Sequence, residues 1–245
     1  MFQTLFYQPI LNLLVYLYGI IPGHDFGLAV IALTIIIKMA LWPLTKQQIK
    51  GQKSLQDLQP KIEEIKKKYK DKKEEMGKAM MQLYKDNKVN PFSSCLPLII
   101  QMPFLFAVFR VFRDKLNDGS LDLVYSFIDK PEMINYISLG YFDLSKPNVA
   151  FAILAGGAQF WQAKMMMTKK PAINTPGSKD ESMMAIMNKQ MLYFMPALTV
   201  FICLTFPSGL ALYWLTTTVL TVAQQSYMFK KKNEDSKMIE GEIVN

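Results

Sequence analysis

Uncharged stretches long enough to cross a membrane alternate along this chain with segments rich in lysine. No charged residue occurs from Val89 to Phe109, from Pro147 to Ala163, or over the forty residues from Gln190 to Phe229. A helix needs about 20 mainly apolar residues to cross the hydrocarbon core, so the last stretch holds two spans. Phe206-Pro207-Ser208-Gly209 in its middle is a turn signal. Phe26 to Thr45 is a further span, interrupted only by Lys38. The pattern predicts an all-α integral membrane protein with five transmembrane helices, at 26–45, 91–112, 147–166, 189–206 and 209–229.

Residues 1–23 follow a different pattern. Thr4, Gln8 and Asn12 recur every fourth residue, and Phe2, Leu5, Phe6, Leu13, Leu14 and Leu17 occupy the complementary positions. That spacing predicts an amphipathic helix lying in the membrane interface rather than a sixth span. It lacks the basic start and small-residue cleavage site of a signal peptide.

Charge then orients the spans. Residues 45–88 hold thirteen Lys against seven acids, residues 164–189 five Lys against two acids, and Lys230-Lys231-Lys232 follow the last span. The segment 114–147 instead holds three Lys against six acids. Lysine-rich loops stay on the cytoplasmic side, so segments 46–88 and 167–188 and the tail 230–245 are assigned there. The N-terminal helix, the loop 113–146 and the Phe206–Gly209 turn are assigned outside.

Segment 46–88 reads as a cytoplasmic helical hairpin. Leu55, Leu58, Ile62, Ile65 and Tyr69 keep a three-four spacing, a coiled-coil-like seam. Met76, Met80 and Leu83 continue it in a second arm, and Lys70-Asp71-Lys72 is the expected bend. Lys61, Lys66, Lys67, Lys68, Lys72 and Lys73 are the candidate partner-binding surface. Two readings stand at this point: a topology-fixing segment that binds anionic headgroups, or a contact for a soluble partner or emerging polypeptide. Sequence-specific DNA is not implied, because lysines alternate with glutamates and no aromatic platform accompanies them.

Composition sharpens rather than changes this picture. The 245 residues are 51% hydrophobic and 20% charged, with a net charge of +8, which excludes a disordered chain. Two cysteines exclude a disulfide-stapled secreted domain. Catalytic and metal chemistry is also missing from the sequence. There is one histidine, His24, read as interfacial, and two isolated thiols, Cys95 and Cys203. No Ser/His/Asp set, metal-ligand cluster or phosphate-binding glycine loop occurs. No enzyme, cofactor or metal is expected.

Polar residues inside the spans are the informative ones. A charged side chain near the bilayer centre costs at least about 2.5 kcal/mol and usually faces a cavity or partner. Lys38 lies in the first span, with Thr34 one turn before it. Seven residues at about 1.5 Å place it about 10 Å from the basic end, so snorkelling covers only part of the distance. Gln101, Gln159, Gln162, Tyr213, Trp214 and Thr217 are candidates to line the same space. Each has an alternative as hydrogen-bonding glue between helices. Together with Lys38 they predict a polar concavity, open to the cytoplasm, that attracts acidic groups. A small-solute channel or transporter is the rival class; a pure assembly chaperone is a second.

Certain motifs carry a resemblance. Trp42-Pro43-Leu44-Thr45, Leu58-Gln59-Pro60-Lys61-Ile62, Leu83-Tyr84-Lys85 and Lys88-Val89-Asn90-Pro91 closely resemble the YidC/Oxa/Alb membrane protein insertases. So do the stretch Cys95-Leu96-Pro97-Leu98-Ile99-Ile100-Gln101-Met102-Pro103 and Phe206-Pro207-Ser208-Gly209-Leu210. The resemblance runs from about Gly27 to Phe229, and no large extracytoplasmic domain precedes it, as in the short bacterial form.

The resemblance implies a multi-pass protein of the bacterial plasma membrane, N-terminus outside and C-terminus cytoplasmic. It implies a hydrophilic groove open to cytoplasm and lipid but closed outside, through which client proteins are inserted and helped to fold. Nascent membrane-protein clients are the implied partners, with the ribosome or targeting machinery, the Sec translocon and anionic lipids as further candidates. Lys38 matches a groove-facing basic position that draws in acidic client segments, and most members resemble one another in having arginine there. Arginine stays charged in any setting, whereas lysine keeps its proton only while well hydrated. The groove at Lys38 is therefore expected to be wet.

Overall fold

The computed structural model describes residues 1–69, 72–90, 96–113, 121–166 and 190–243. Among them are nine α-helices and one small antiparallel hairpin. Helix α1 (Gln8–Ile20) follows a π-helical turn over Gln3–Tyr7. Helix α2 (Phe26–Ala40) starts on an Asp25 cap, whose Oδ1 accepts from the Leu28 amide at 2.9 Å. Helix α3 (Trp42–Asp57) turns away from α2 by 68°. Pro43 explains the break: in a straight helix its ring collides with the carbonyl four residues back, at Met39, whereas in the first turn of a new helix it is tolerated.

Helices α4 (Gln59–Lys68) and α5 (Lys73–Asp86) pack through Leu58, Ile62 and Tyr84, flanked by Leu55, Met80 and Leu83. The first arm is not the continuous helix its seam suggests. Pro60 opens α4 just as Pro43 opens α3, and α3 ends at Asp57. Residues Lys70 and Asp71 of the expected bend lie outside the described residues, as do Cys95 and the loop 167–188.

The other long elements are α6 (Leu96–Arg113), α7 (Val149–Met166), α8 (Met195–Thr205, after a π turn over Gln190–Phe194) and α9 (Ser208–Ile243). Helix α9 runs on through the segment 230–243 that the sequence assigned to a tail. Among the described residues no single helix is both long and apolar enough to cross a membrane. The bent pair α2–α3 meets that measure together, and Gln190–Thr205 is a shorter apolar helix.

The main core joins α1, α2, α6 and the start of α9: Leu11, Leu14, Phe26, Val30, Leu33, Val108, Val111, Leu210 and Tyr213 are all buried. A second cluster of small side chains, Ala152, Ala155, Cys203 and Ala211, lets α7, α8 and α9 approach closely. Both clusters meet at the end of the bundle where α2, α7 and α9 begin. There Phe26 meets Phe112 edge-on at 5.6 Å, and Phe109 meets Phe206 at 4.9 Å. Gly209 sits against the Phe112 ring so closely that a Cβ at that position would overlap it.

Residues 121–146 close this end. Strands β1 (Ile137–Ser138) and β2 (Phe142–Asp143) pair with Ile137 opposite Asp143. The Ser208 and Gly209 amides donate to the carbonyls of Lys146 (2.9 Å) and Leu144 (3.1 Å). The Gln8 and Asn12 side-chain amides both donate to the Leu123 carbonyl, and Asn12 Oδ1 accepts from the Tyr125 amide at 2.6 Å. This corrects the face expected of the N-terminal helix. Asn12 is only 2% exposed, because an amide satisfies both a carbonyl and an N–H of the covering segment. The outward positions instead include Phe2, Leu5, Tyr16 and Ile20.

Candidate functional site

Below the capped end the bundle opens into a cavity of about 280 Å³. Five helices supply its walls: α2 with Lys38, α3 with Thr45, Gln48 and Gln52, α6 with Gln101, α7 with Gln159 and Gln162, and α9 with Tyr213, Trp214, Thr217, Thr218, Thr221 and Gln225. Seven of the eight residues expected from sequence are thus brought together. Thr34 is not among them. It is fully buried, and its hydroxyl donates to the Val30 carbonyl at 2.7 Å, so it serves its own helix.

The Lys38 ammonium donates to the Thr221 hydroxyl at 2.6 Å, and Thr221 in turn donates to the Thr217 carbonyl at 2.7 Å. Among the described residues Lys38 makes no ion pair. One of its three donors is thereby accounted for by a neutral acceptor. The bend at Leu41 also changes its setting. Measured along a straight helix Lys38 is two turns inside the first span, but the helix ends two residues later, at Ala40, and α3 lies beside it as part of the cavity wall.

Some lining amides are held by neighbours. Gln101 Nε2 donates to the Tyr213 hydroxyl at 2.6 Å, and the Thr199 hydroxyl donates to Gln159 Oε1. Others are open. Gln225 is 2% exposed, and its Oε1 has no hydrogen-bond partner among the described residues. Nε2 of the adjacent Gln224, which is outside the cavity lining, also has no partner among the described residues. A buried amide without a partner costs about 1–3 kcal/mol, so such groups normally meet water or a ligand.

Sequence reasoning missed Thr221, Gln48, Gln52 and Gln225. The signal was present: Thr221 stands one turn beyond Thr217, Gln225 one turn beyond Thr221, and Gln48 and Gln52 share a face of α3. The last two were hidden by their assignment to a water-exposed hairpin. Of the hairpin lysines, Lys61, Lys67, Lys68 and Lys72 are exposed. Lys72 pairs with Glu75 at 2.8 Å. Lys66 is partly buried; burial lowers its pKa, and the Glu63 carboxylate opposes that.

Comparison with known proteins places the chain in a family. A family model described as "60Kd inner membrane protein" matches residues 16–236. A Fusobacterium nucleatum protein named "Membrane protein insertase YidC" is 34% identical over 207 residues, covering 84% of this chain and 87% of that protein. Proteins of the same name from Pelobacter propionicus and Geobacter metallireducens are each 35% identical, over 233 and 223 residues. These cover 94% and 91% of this chain but only 40% and 36% of the relatives, so the chain spans well under half of their length. With a match over nearly all of its length, the chain belongs to the YidC/Oxa/Alb family of membrane proteins.

Proposed function

We propose that this chain inserts client proteins into the bacterial inner membrane and assists their folding, using the Lys38 cavity as a wet half-channel open to cytoplasm and lipid. The spans are α2, α6, α7, the Gln190–Thr205 unit and the first part of α9, with α1 at the outer interface and α4–α5 in the cytoplasm. At 18 residues each, α6 and α7 reach about 27 Å, close to the ~30 Å hydrocarbon thickness. Their apolar character is diluted by the same glutamines that line the cavity, as a groove-forming helix requires.

Lys38 stands twelve residues into α2, about 18 Å from its capped start, which is past the middle of the bilayer. The observation that carries the proposal is this ammonium: among the described residues its one hydrogen bond is to a neutral hydroxyl, and glutamines and threonines share the cavity wall around it with apolar Leu41, Ile49, Ile100, Met102 and Leu105. A hydrophilic tail crossing hydrocarbon loses hydration of its backbone and charges. A wet path through the inner half shortens the dry distance, and Lys38 offers an acidic side chain a transient partner. Release follows as the client's apolar segment enters lipid. A potential positive outside adds about 2.3 kcal/mol per negative charge per 100 mV. The α4–α5 lysines suit contact with the nascent client, the ribosome or targeting machinery, or with anionic lipid, and the Sec translocon is a candidate neighbour.

The test is protease protection of an acidic N-terminal tail of a client in vesicles bearing Lys38 variants. Lys38→Arg should retain translocation, Lys38→Ala reduce it, and Lys38→Glu reduce it most. Equal translocation by all three removes Lys38 from the mechanism, and solute leakage through the wild-type protein favours a channel instead.

A further inference from the structure

The β1–β2 turn displays apolar side chains where hairpin chemistry favours polar ones. The Ser138 carbonyl accepts from the Tyr141 amide at 3.1 Å, closing a turn whose central residues are both left-handed: Leu139 (φ 51°) and Gly140 (φ 75°). Asn, Asp or Gly is preferred at the first of these positions, and leucine adopts that backbone only under strain. Leu139 is nevertheless 62% exposed and Tyr141 89% exposed, so burial among the described residues does not account for the choice.

The turn is also fixed in place. Asp25 Oδ2 accepts from the Leu139 amide at 2.5 Å, while Oδ1 accepts from the Ser138 hydroxyl at 2.8 Å and the Leu28 amide at 2.9 Å. One carboxylate thus ties the turn to the first turn of α2. Ser138 packs on Gly27 of α2, and Phe142 meets Phe151 of α7 edge-on at 5.3 Å. The hairpin straddles the starts of two helices whose own exposed first-turn residues, Leu28 and Val149, are apolar. From Met133 to Phe142 the segment carries no charge, a ten-residue gap in an otherwise acidic loop. That gap is the part able to approach an anionic surface without repulsion.

We infer that Leu139 and Tyr141 seat this hairpin in the interfacial zone of the outer leaflet, so that lipid is the partner of this surface. An amphipathic ring and an apolar side chain at the level where helices leave hydrocarbon fit the headgroup boundary. The inference rests on the proposed spans, since α2 must begin at the outer face.

The experiment uses the full chain with Cys95→Ser and Cys203→Ala, reconstituted in phosphatidylethanolamine–phosphatidylglycerol vesicles containing a lipid nitroxide-labelled near the headgroup or, for position 36, near the end of its acyl chain. An environment-sensitive fluorophore is placed in turn on Leu139→Cys, Tyr141→Cys, Lys130→Cys and Ile36→Cys. Lipid quenching at 139 and 141 should be several-fold stronger than at 130. Adding Leu139→Asn, which suits the turn and preserves the fold, should reduce quenching at 141. Probes at 139 and 141 as accessible to aqueous iodide as the one at 130, with position 36 lipid-quenched, overturn the hairpin seat alone. Shielding from both quenchers overturns it in favour of a protein occupant. Loss of quenching at 36 as well removes the spans and the seat together.

Discussion

The two ends of the bundle treat polar groups in opposite ways. At the capped end they are paired: Asp25 with two backbone amides and a serine, Asn12 with Leu123 and Tyr125, and Ser208 and Gly209 with residues 144 and 146. The Tyr136 hydroxyl is an exception there. In the cavity, the Gln225 side-chain oxygen has no partner among the described residues, and Lys38 leans on one neutral hydroxyl. Paired groups fix a shape, whereas open ones remain available to something that enters. The lesson is that closure at one end and receptivity at the other are built from the same residue types and differ in who supplies the partner.

That contrast breaks first where packing is tightest. Gly209→Leu should destabilise the protein by about 3 kcal/mol, since its side chain must displace the Phe112 ring; thermal unfolding in detergent measures this. Lys38→Glu should do the reverse, leaving the unfolding midpoint in place while lowering insertion of an acidic-tailed client about tenfold or more, the scale of a lost charged hydrogen bond. If Lys38→Glu unfolds the protein, the cavity is structural and the contrast fails.

Asp25→Ala should cost about 1–2 kcal/mol, discounted for its partial exposure, and should loosen the hairpin without changing insertion per folded molecule. Hydrogen exchange at the Leu139 amide reports the loosening. Acid titration sharpens the same point. Burial acts to raise the Asp25 pKa, but bonds from Leu139, Leu28 and Ser138 prevail and lower it. Asp143 is lowered to about 2, mainly by the Ser145 hydroxyl and Lys146. Groups with depressed folded pKa values contribute stability above their ordinary value of 3.8 and lose it as pH falls through the folded value. The capped end should therefore hold steady from pH 8 to 5 and weaken only between about 3.8 and 2. The smallest effect is expected for Gln225→Leu, a gain of up to about 1 kcal/mol in detergent, because it removes an unpartnered amide.

Much of this was legible in the chain. Lys38 and six uncharged polar residues point to one space because a charge inside an apolar stretch usually faces a cavity or partner, and the structure brings them together. Thr34 was not separable from them, since a threonine bonding its own helix has the same spacing as one facing a cavity. The helix break after Lys38 was written in Pro43, yet apolar content running on to Thr45 masked it. Asn12 was misplaced because periodicity identifies a polar stripe without saying whether water or backbone will satisfy it. The hydrogen bonds that tie residues 121–146 to the helix ends join segments more than sixty positions apart, which no local pattern encodes.

The corner at Leu41 has a mechanical corollary. Helix α3 is 16 residues and about 24 Å long, and a single residue, Leu41, joins it to α2. A swing of 10° about that residue would move the far end of α3 by about 4 Å, but Gln48, seven residues along, by only about 2 Å. Load applied at the distal tip, where α4 and α5 hang, is thereby geared down before it reaches the cavity wall. On that lever, a large excursion outside would be a fine adjustment of width within.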